Sequence, residues 1–225
     1  MIVITGASFA LHEYDDDSSI SGPGIGQYLS LNNEVFVIAK AAASNTLALN
    51  KLQDFLEMMN NDFSSDTFYW LVTDPTRCIE DNLKALVGSD PSSLLKETLN
   101  NSLERANDLA KKFNITINLV GAECDLPCVE YSNLTVAVKS WGQLLENNWP
   151  VGLTYDIDSW KQKLPTSDKL VDILENINNK YSVMNQSKWF KALHPTSKAH
   201  LKLAFELNED FKEYYLQNWP DTEVY

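Results

Sequence analysis

Short apolar runs alternate with longer amphipathic segments along the chain. Five runs rich in Val, Ile and aromatic residues predict strands at residues 2–4, 34–39, 68–72, 115–121 and 134–138. The first run, Ile2-Val3-Ile4, has no polar residue to face water. Such a run is typical of a strand that is buried on both faces of a parallel sheet.

Helical periodicity fills the segments between these runs. One stripe predicts a helix that Ser44 or Asn45 caps, with apolar residues Leu47, Leu49, Leu52, Phe55, Leu56 and Met59. A second helix is expected over about residues 92–113, where Asn114 ends it. This alternation predicts the α/β class, as a three-layer α/β/α fold around a central, mostly parallel, five-stranded, doubly wound sheet.

The C-terminal part is less regular. Residues 149–165 are rich in aromatics, residues 167–180 have a helical stripe, and a last helix runs through Leu203, Phe205 and Leu207. We expect the tail from Phe211 to Tyr225 to pack on the surface. We also expect one domain, residues 1–225, in which about 141–185 can form a cap insertion over the sheet.

The negative net charge of the chain limits the classes of partner that we expect it to bind. The chain has 225 residues and a formal net charge of −13. Nucleic acids and anionic membranes attract basic patches, so we expect neither as the main partner, and strongly anionic substrates are disfavoured for the same reason. No apolar run is long enough to span a bilayer, and no secretory signal is visible. The expected location is cytoplasmic, or released without a classical signal peptide.

Metal and cofactor chemistry find little support in the sequence. The odd count of three cysteines, Cys78, Cys124 and Cys128, favours reduced thiols over a disulfide framework. Two thiols near each other do not make a zinc site, and the acidic run at residues 15–17 lacks the spacing of a calcium loop. We therefore expect no metal and no cofactor.

Ser8 is the first candidate for catalytic chemistry. It follows Thr5-Gly6-Ala7 at the carboxyl end of the first predicted strand, the edge at which open α/β sheets bind ligands. A serine on such a turn is a nucleophile when a base reaches it, and otherwise an ordinary turn residue. His194, near the other end of the chain, is either that base or a cap of the last helix. His200 fits a packed helix residue better than a base.

This order of serine, strand ends and histidine resembles the SGNH (GDSL-like) hydrolase family of esterases and lipases. The resemblance rests on Gly6-Ala7-Ser8-Phe9 and on His194-Pro195-Thr196 running to His200. It implies an SGNH-hydrolase-like, flavodoxin-like fold. It also implies that Ser8 is the nucleophile and that His194 is the catalytic histidine.

The chain departs from the family at the oxyanion site. Ala7 replaces the aspartate of the family's Gly-Asp-Ser motif. Ala42 stands where the family has a glycine, but alanine keeps the backbone N–H that binds the oxyanion. Asp74 stands where the family has an asparagine, and a carboxylate repels an oxyanion. The hydroxyl of Thr73 is the substitute donor.

A further departure concerns the residue that orients the histidine. Lys191 stands where the family has an aspartate three residues before the histidine, and lysine cannot accept the imidazole N–H. A backbone carbonyl, or an acid such as Asp168 or Asp172, is the alternative.

Two functions from different classes follow. The first is a serine esterase that hydrolyses short acyl or acetyl esters of a small molecule or a glycan through a Ser8–His194 dyad or an atypical triad. The second is an inert protein of the same fold that binds a ligand or has a structural role. A nucleotide-binding protein fits less well because the first loop has neither GxGxxG nor GxxxxGK[ST]. The oligomeric state stays open.

Overall fold

The computed structural model describes residues 1–14, 20–73, 91–122, 125–146, 186–191 and 194–222. Its strands are β1 (Ile2–Gly6), β2 (Glu13–Tyr14), β3 (Ile20–Gly22), β4 (Val35–Val37), β5 (Thr67–Val72), β6 (Ile117–Gly121), β7 (Leu134–Val138), β8 (Phe190–Lys191) and β9 (His194–Pro195). Its α-helices are α1 (Ile25–Leu29), α2 (Asn45–Met59), α3 (Pro91–Phe113), α4 (Trp141–Leu145), α5 (Ser197–Leu207) and α6 (Glu209–Asn218).

All five strands predicted from the apolar runs join one sheet. They lie in the order β4-β1-β5-β6-β7, and every neighbouring pair is parallel. This is the strand order of flavodoxin-like, doubly wound sheets, in which the first strand lies inside the sheet and the chain reverses direction beside it. The carboxyl ends of β1 and its two neighbours therefore meet at one edge.

Helices cover both faces of this sheet. Side chains alternate along β1, so that Ile2 and Ile4 join the core beneath α1, α4 and α5, whereas Val3 joins the core beneath α2 and α3. Both cores are buried, and the architecture is the predicted three-layer α/β/α fold. A strand between two apolar layers has no polar face, which explains the unbroken apolar run at the N-terminus.

Two element boundaries differ from the sequence prediction for local reasons. The strand predicted at 115–121 starts at Ile117, because Asn114 adopts a left-handed conformation (φ 51°) and the Ile115 N–H donates to the carbonyl of Ala110 at 2.9 Å. Residue 115 thus belongs to the end of α3. The strand predicted at 34–39 is reduced to Val35–Val37, an edge strand that pairs on one side only.

The predicted cap of α2 is confirmed. The Ser44 side chain accepts a hydrogen bond of 3.2 Å from the N–H of Leu47 and thereby satisfies one of the free donors at the helix start. Asn45 is the first residue of the helix and has another role, described below.

The tail prediction is wrong in part. Residues 209–218 form α6, and Phe211 at its start is 0% exposed within the core beneath α5. Phe211 is the one buried residue of this helix, and a single position is too weak a periodic signal for the sequence to predict the packing.

Most of the predicted cap lies outside the described residues. The structure shows α4 at the start of that segment, while residues 147–185, with the helix predicted at 167–180, are not described. Among the described helices, none has the length and apolar character needed to cross a membrane.

Candidate functional site

Ser8 lies immediately beyond β1, at the first residue of a short 3₁₀ helix (Ser8–Ala10), called the 3₁₀ turn below. Gly6 makes the sharp turn possible: its φ is 150°, and a Cβ there would lie 2.8 Å from the carbonyl oxygen of Leu71. The turn holds Ser8 at the carboxyl edge of the sheet, as the sequence predicts. The side chain is 4% exposed, so Ser8 lies just beneath the surface.

His194 lies on a small antiparallel ribbon that packs against the 3₁₀ turn. The ribbon consists of β8 and β9, and the ring centroids of Phe9 and His194 are 6.2 Å apart. Phe190 of β8 lies at the same centroid distance, 6.2 Å, from Phe9. The fold therefore brings His194 into contact with Phe9, the residue after Ser8, although the two segments are nearly 190 residues apart in sequence.

Lys191 is the cross-strand partner of His194 in this ribbon. Directly opposed residues of an antiparallel pair project to the same face, with their Cβ atoms about 4.5–5.5 Å apart. Position 191 is thus within side-chain reach of His194, which is what an orienting residue needs. The side chain there is a cation rather than a carboxylate.

Ala42 lies in the loop that follows β4. The Lys40 N–H donates to the carbonyl of Gly6 at 3.2 Å, which attaches this loop to the end of β1. Ala42 itself is exposed and has a φ of 56°, the left-handed conformation that favours glycine. Alanine adopts this conformation at a steric cost that glycine would not have.

Thr73 is buried at the end of β5, and its backbone has a side-chain partner. The Thr73 N–H donates to Oδ1 of Asn45, and Nδ2 of Asn45 donates to the Thr73 carbonyl, both at 2.9 Å. The Thr73 N–H is therefore already committed to Asn45 and does not serve as a donor for an oxyanion. Asp74, with the alternative acids Asp168 and Asp172, lies outside the described residues.

His200 is fully buried one helical turn into α5, as the sequence prediction of a packed residue requires. The pKa of its imidazole is lowered to about 3, mainly by burial and to a smaller extent by the nearby His12 and His194 rings, while the backbone of His12 acts in the opposite direction. Neither ring nitrogen has a hydrogen bond of regular geometry. His200 is therefore neutral at physiological pH and does not serve as an exchangeable base.

Edge-to-face ring contacts connect this buried histidine to the 3₁₀ turn. Trp141 meets Phe9 edge-on at a centroid distance of 5.8 Å and His200 at 5.2 Å. The indole N–H of Trp141 is buried and has no acceptor among the described residues. Aromatic and imidazole rings thus support the 3₁₀ turn from below, and they exclude water from the interior side of Ser8.

His12 is held by a short relay of hydrogen bonds. The side-chain oxygen of Gln27 accepts from the Gly24 N–H at 3.0 Å, so its amide nitrogen donates to Nδ1 of His12 at 2.8 Å. A neutral His12 ring then carries its hydrogen on Nε2. All three histidines of the chain therefore lie in one region, around the 3₁₀ turn.

Glu13 is a residue that the sequence analysis missed. Its Oε2 accepts a hydrogen bond of 2.6 Å from the N–H of Ser197, the first residue of α5, and β2 lies against β9. A carboxylate at a helix N-terminus stabilises the helix through the macrodipole and a free N–H. Glu13 thereby fixes the start of the helix that follows His194. No local pattern could reveal this contact, because its partners are 184 residues apart.

Within the described ranges, no group of three or more His, Cys, Asp or Glu side chains is arranged to hold a metal ion. The candidate site thus consists of Ser8, His194, Lys191 and Ala42 with aromatic support beneath. Among known proteins, no family model matches this chain and no curated sequence is significantly similar to it.

Proposed function

We propose that this protein is an SGNH-like serine esterase that acts on short acyl or acetyl esters, with a carbohydrate ester as one substrate class. The observation that carries the proposal is the packing of the ribbon on the 3₁₀ turn, with the His194 ring 6.2 Å from the ring of Phe9, next to Ser8. A serine at the carboxyl end of β1 and a histidine that reaches the same edge are the two elements of a nucleophile–base pair.

In the proposed mechanism His194 accepts the Ser8 hydroxyl proton while Oγ attacks the ester carbonyl carbon. The backbone N–H groups of Ser8 and Ala42 donate to the oxyanion that forms, with Thr73 or Asp74 assisting. Collapse of the intermediate breaks the bond to the alcohol oxygen, which takes the proton from His194. Water, deprotonated by His194, then releases the acid from Ser8.

The burial of Ser8 sets a requirement for this mechanism. Ser8 is almost buried, so its Oγ has to become accessible to the ester carbonyl when substrate binds. Catalytic hydrogen bonds are often long without a ligand and tighten only in the complex. The exposed Ala42 loop leaves the approach to the oxyanion site open to solvent.

The test is hydrolysis of p-nitrophenyl acetate by the wild type, Ser8→Ala, His194→Gln and a control variant, Ser30→Ala. Ser30 is exposed, and its hydroxyl donates to the carbonyl of Gln27, away from the 3₁₀ turn. We expect Ser8→Ala and His194→Gln to reduce turnover to background and Ser30→Ala to retain it. Turnover that survives Ser8→Ala contradicts the mechanism.

The alternative is an inert protein of this fold that binds a ligand, and Lys191 is the observation in its favour. A cation opposite His194 neither orients the imidazole nor stabilises its protonated form. This alternative expects no covalent labelling of Ser8 by a fluorophosphonate at any pH. Labelling that is lost in Ser8→Ala and retained in Ser30→Ala contradicts it.

A further inference from the structure

Three lysine side chains surround one indole ring beside the ribbon. The Nζ atoms of Lys188, Lys198 and Lys202 lie 5.1, 5.9 and 5.0 Å from the centroid of Trp189. Trp189 is only 2% exposed, whereas Lys188 is exposed and the other two lysines are half-buried. The lysine stems thus cover the ring while the ammonium groups gather at its surface.

Two of these ammonium groups have no acidic partner. Lys198 and Lys202 are one turn apart on α5, where like charges repel, and neither forms an ion pair or a hydrogen bond in the described part of the chain. Glu206, one turn further along, is exposed and is not within ion-pair distance of Lys202.

Some lysines of other surfaces are paired with acids. Lys112 lies 2.7 Å from a carboxylate oxygen of Glu57, and Lys111 lies 4.0 Å from one of Asp108. Lys198 and Lys202 instead place two positive charges one helical turn apart, in a chain with a net charge of −13. Charges further away than about 8 Å are largely screened at physiological ionic strength, so the local cluster dominates the field at its own surface.

The fold holds this cluster next to the candidate site. The Trp189 carbonyl accepts a hydrogen bond of 2.9 Å from the N–H of Thr196, which caps α5, and Trp189 directly precedes β8. The ring is therefore fixed to both arms of the ribbon that carries His194. A ligand at the lysines would lie beside the ribbon rather than across the molecule from it.

We propose that Lys198 and Lys202, with Lys188, form a binding site for a phosphate group over Trp189. Ammonium groups donate charge-assisted hydrogen bonds to phosphate oxygens, and a bound dianion removes the repulsion between the two lysines of α5. The phosphate is either free inorganic phosphate or an ester group on a larger ligand such as a sugar. This site does not depend on hydrolysis at Ser8.

The experiment is calorimetric titration with inorganic phosphate, glucose 6-phosphate and, as the neutral control, glucose, at an ionic strength of about 0.15 M. It compares the wild type with the double variant Lys198→Gln/Lys202→Gln and with a matched control, Lys111→Gln/Lys112→Gln. Both double variants change the net charge by the same amount. We expect the first to raise the Kd for phosphate by about tenfold or more and the second to leave it unchanged.

A second measurement needs no variant and so does not depend on folding. Acetylation of the wild-type lysines, followed by mass spectrometry, should be slower at Lys198 and Lys202 when phosphate is present, and unchanged at Lys111 and Lys112. Tighter binding of glucose 6-phosphate than of phosphate supports an ester-borne group, and equal binding supports the free ion. No binding by the wild type, equal losses in both double variants, or equal protection of all four lysines would overturn the proposal.

Discussion

Asn45 and Thr73 bind each other through two hydrogen bonds of 2.9 Å, one in each direction between the asparagine amide and the threonine backbone. Both residues are buried, at 0% and 1% exposure. The pair joins the start of α2 to the end of β5, on either side of the edge where β1 ends. It therefore fixes the spacing of two loops that surround Ser8.

Truncation of this amide should destabilise the protein. Asn45→Ala removes both hydrogen bonds from the Thr73 backbone, and the loss of a hydrogen bond by a buried polar group costs about 1–3 kcal/mol. We expect the free energy of unfolding, measured by urea denaturation, to fall by about 2–4 kcal/mol. Asn101→Ala on the exposed side of α3 is the control and should change it by less than about 0.5 kcal/mol. Equal effects of the two substitutions would contradict a structural role for the pair.

The buried His200 predicts a specific dependence of stability on pH. Its pKa is about 3 in the folded protein and about 6.5 when unfolded, so below pH 6.5 the unfolded state binds a proton that the folded state does not. Stability is therefore fully present above pH 6.5 and falls with pH, by up to about 1.4 kcal/mol per unit, until the pH approaches 3.

The measurement compares wild type with His200→Phe, which keeps a ring against Trp141 but does not titrate. Between pH 7.5 and 5.0 the unfolding free energy of the wild type should fall by about 2 kcal/mol more than that of the variant. His12 and His194 face the same region and are present in both proteins, so the difference between the two profiles reports on His200. Parallel pH profiles would show that His200 does not carry this dependence.

Position 191 offers a gain-of-function test of the esterase proposal. Lys191→Asp places a carboxylate opposite His194, where it can accept the imidazole N–H and stabilise the protonated ring. We expect kcat/KM for p-nitrophenyl acetate to rise on the order of tenfold, less than the about 10⁴ that such a carboxylate contributes in a serine protease. The pKa that governs the acidic limb of the rate profile should rise.

Lys191→Gln is the matched control, because it removes the cation without adding an acceptor, and it should give no such gain. If Asp74 repels the oxyanion, Lys191→Asp raises activity only in combination with Asp74→Asn. If Lys191→Asp, Asp74→Asn and the double variant all show no gain, the protein is not an esterase that merely lacks an orienting carboxylate at position 191. Either another acid, such as Asp168 or Asp172, orients His194, or the protein is not a hydrolase.

The elements of this fold were determined by local sequence. Alternation of apolar runs and 3.6-residue periodicity predicts the five sheet strands, α2 and α3, and Ser44 caps α2 because a side-chain oxygen at that position reaches an N–H three residues on. Such signals act within one element, so a single sequence contains them in full. The position of Ser8 at the end of β1 follows from the same local pattern.

The contacts between these elements were determined only by the tertiary structure. The contact of Phe9 with His194, the hydrogen bond from Ser197 to Glu13 and the burial of Phe211 depend on packing between distant segments, and no local periodicity encodes them. The same holds for the lysines around Trp189, since α5 and the residue before β8 become neighbours only on folding. The local pattern of apolar residues determines whether a segment forms a helix or a strand and which of its faces is buried. Which other element packs against that face depends on the fold of the whole chain.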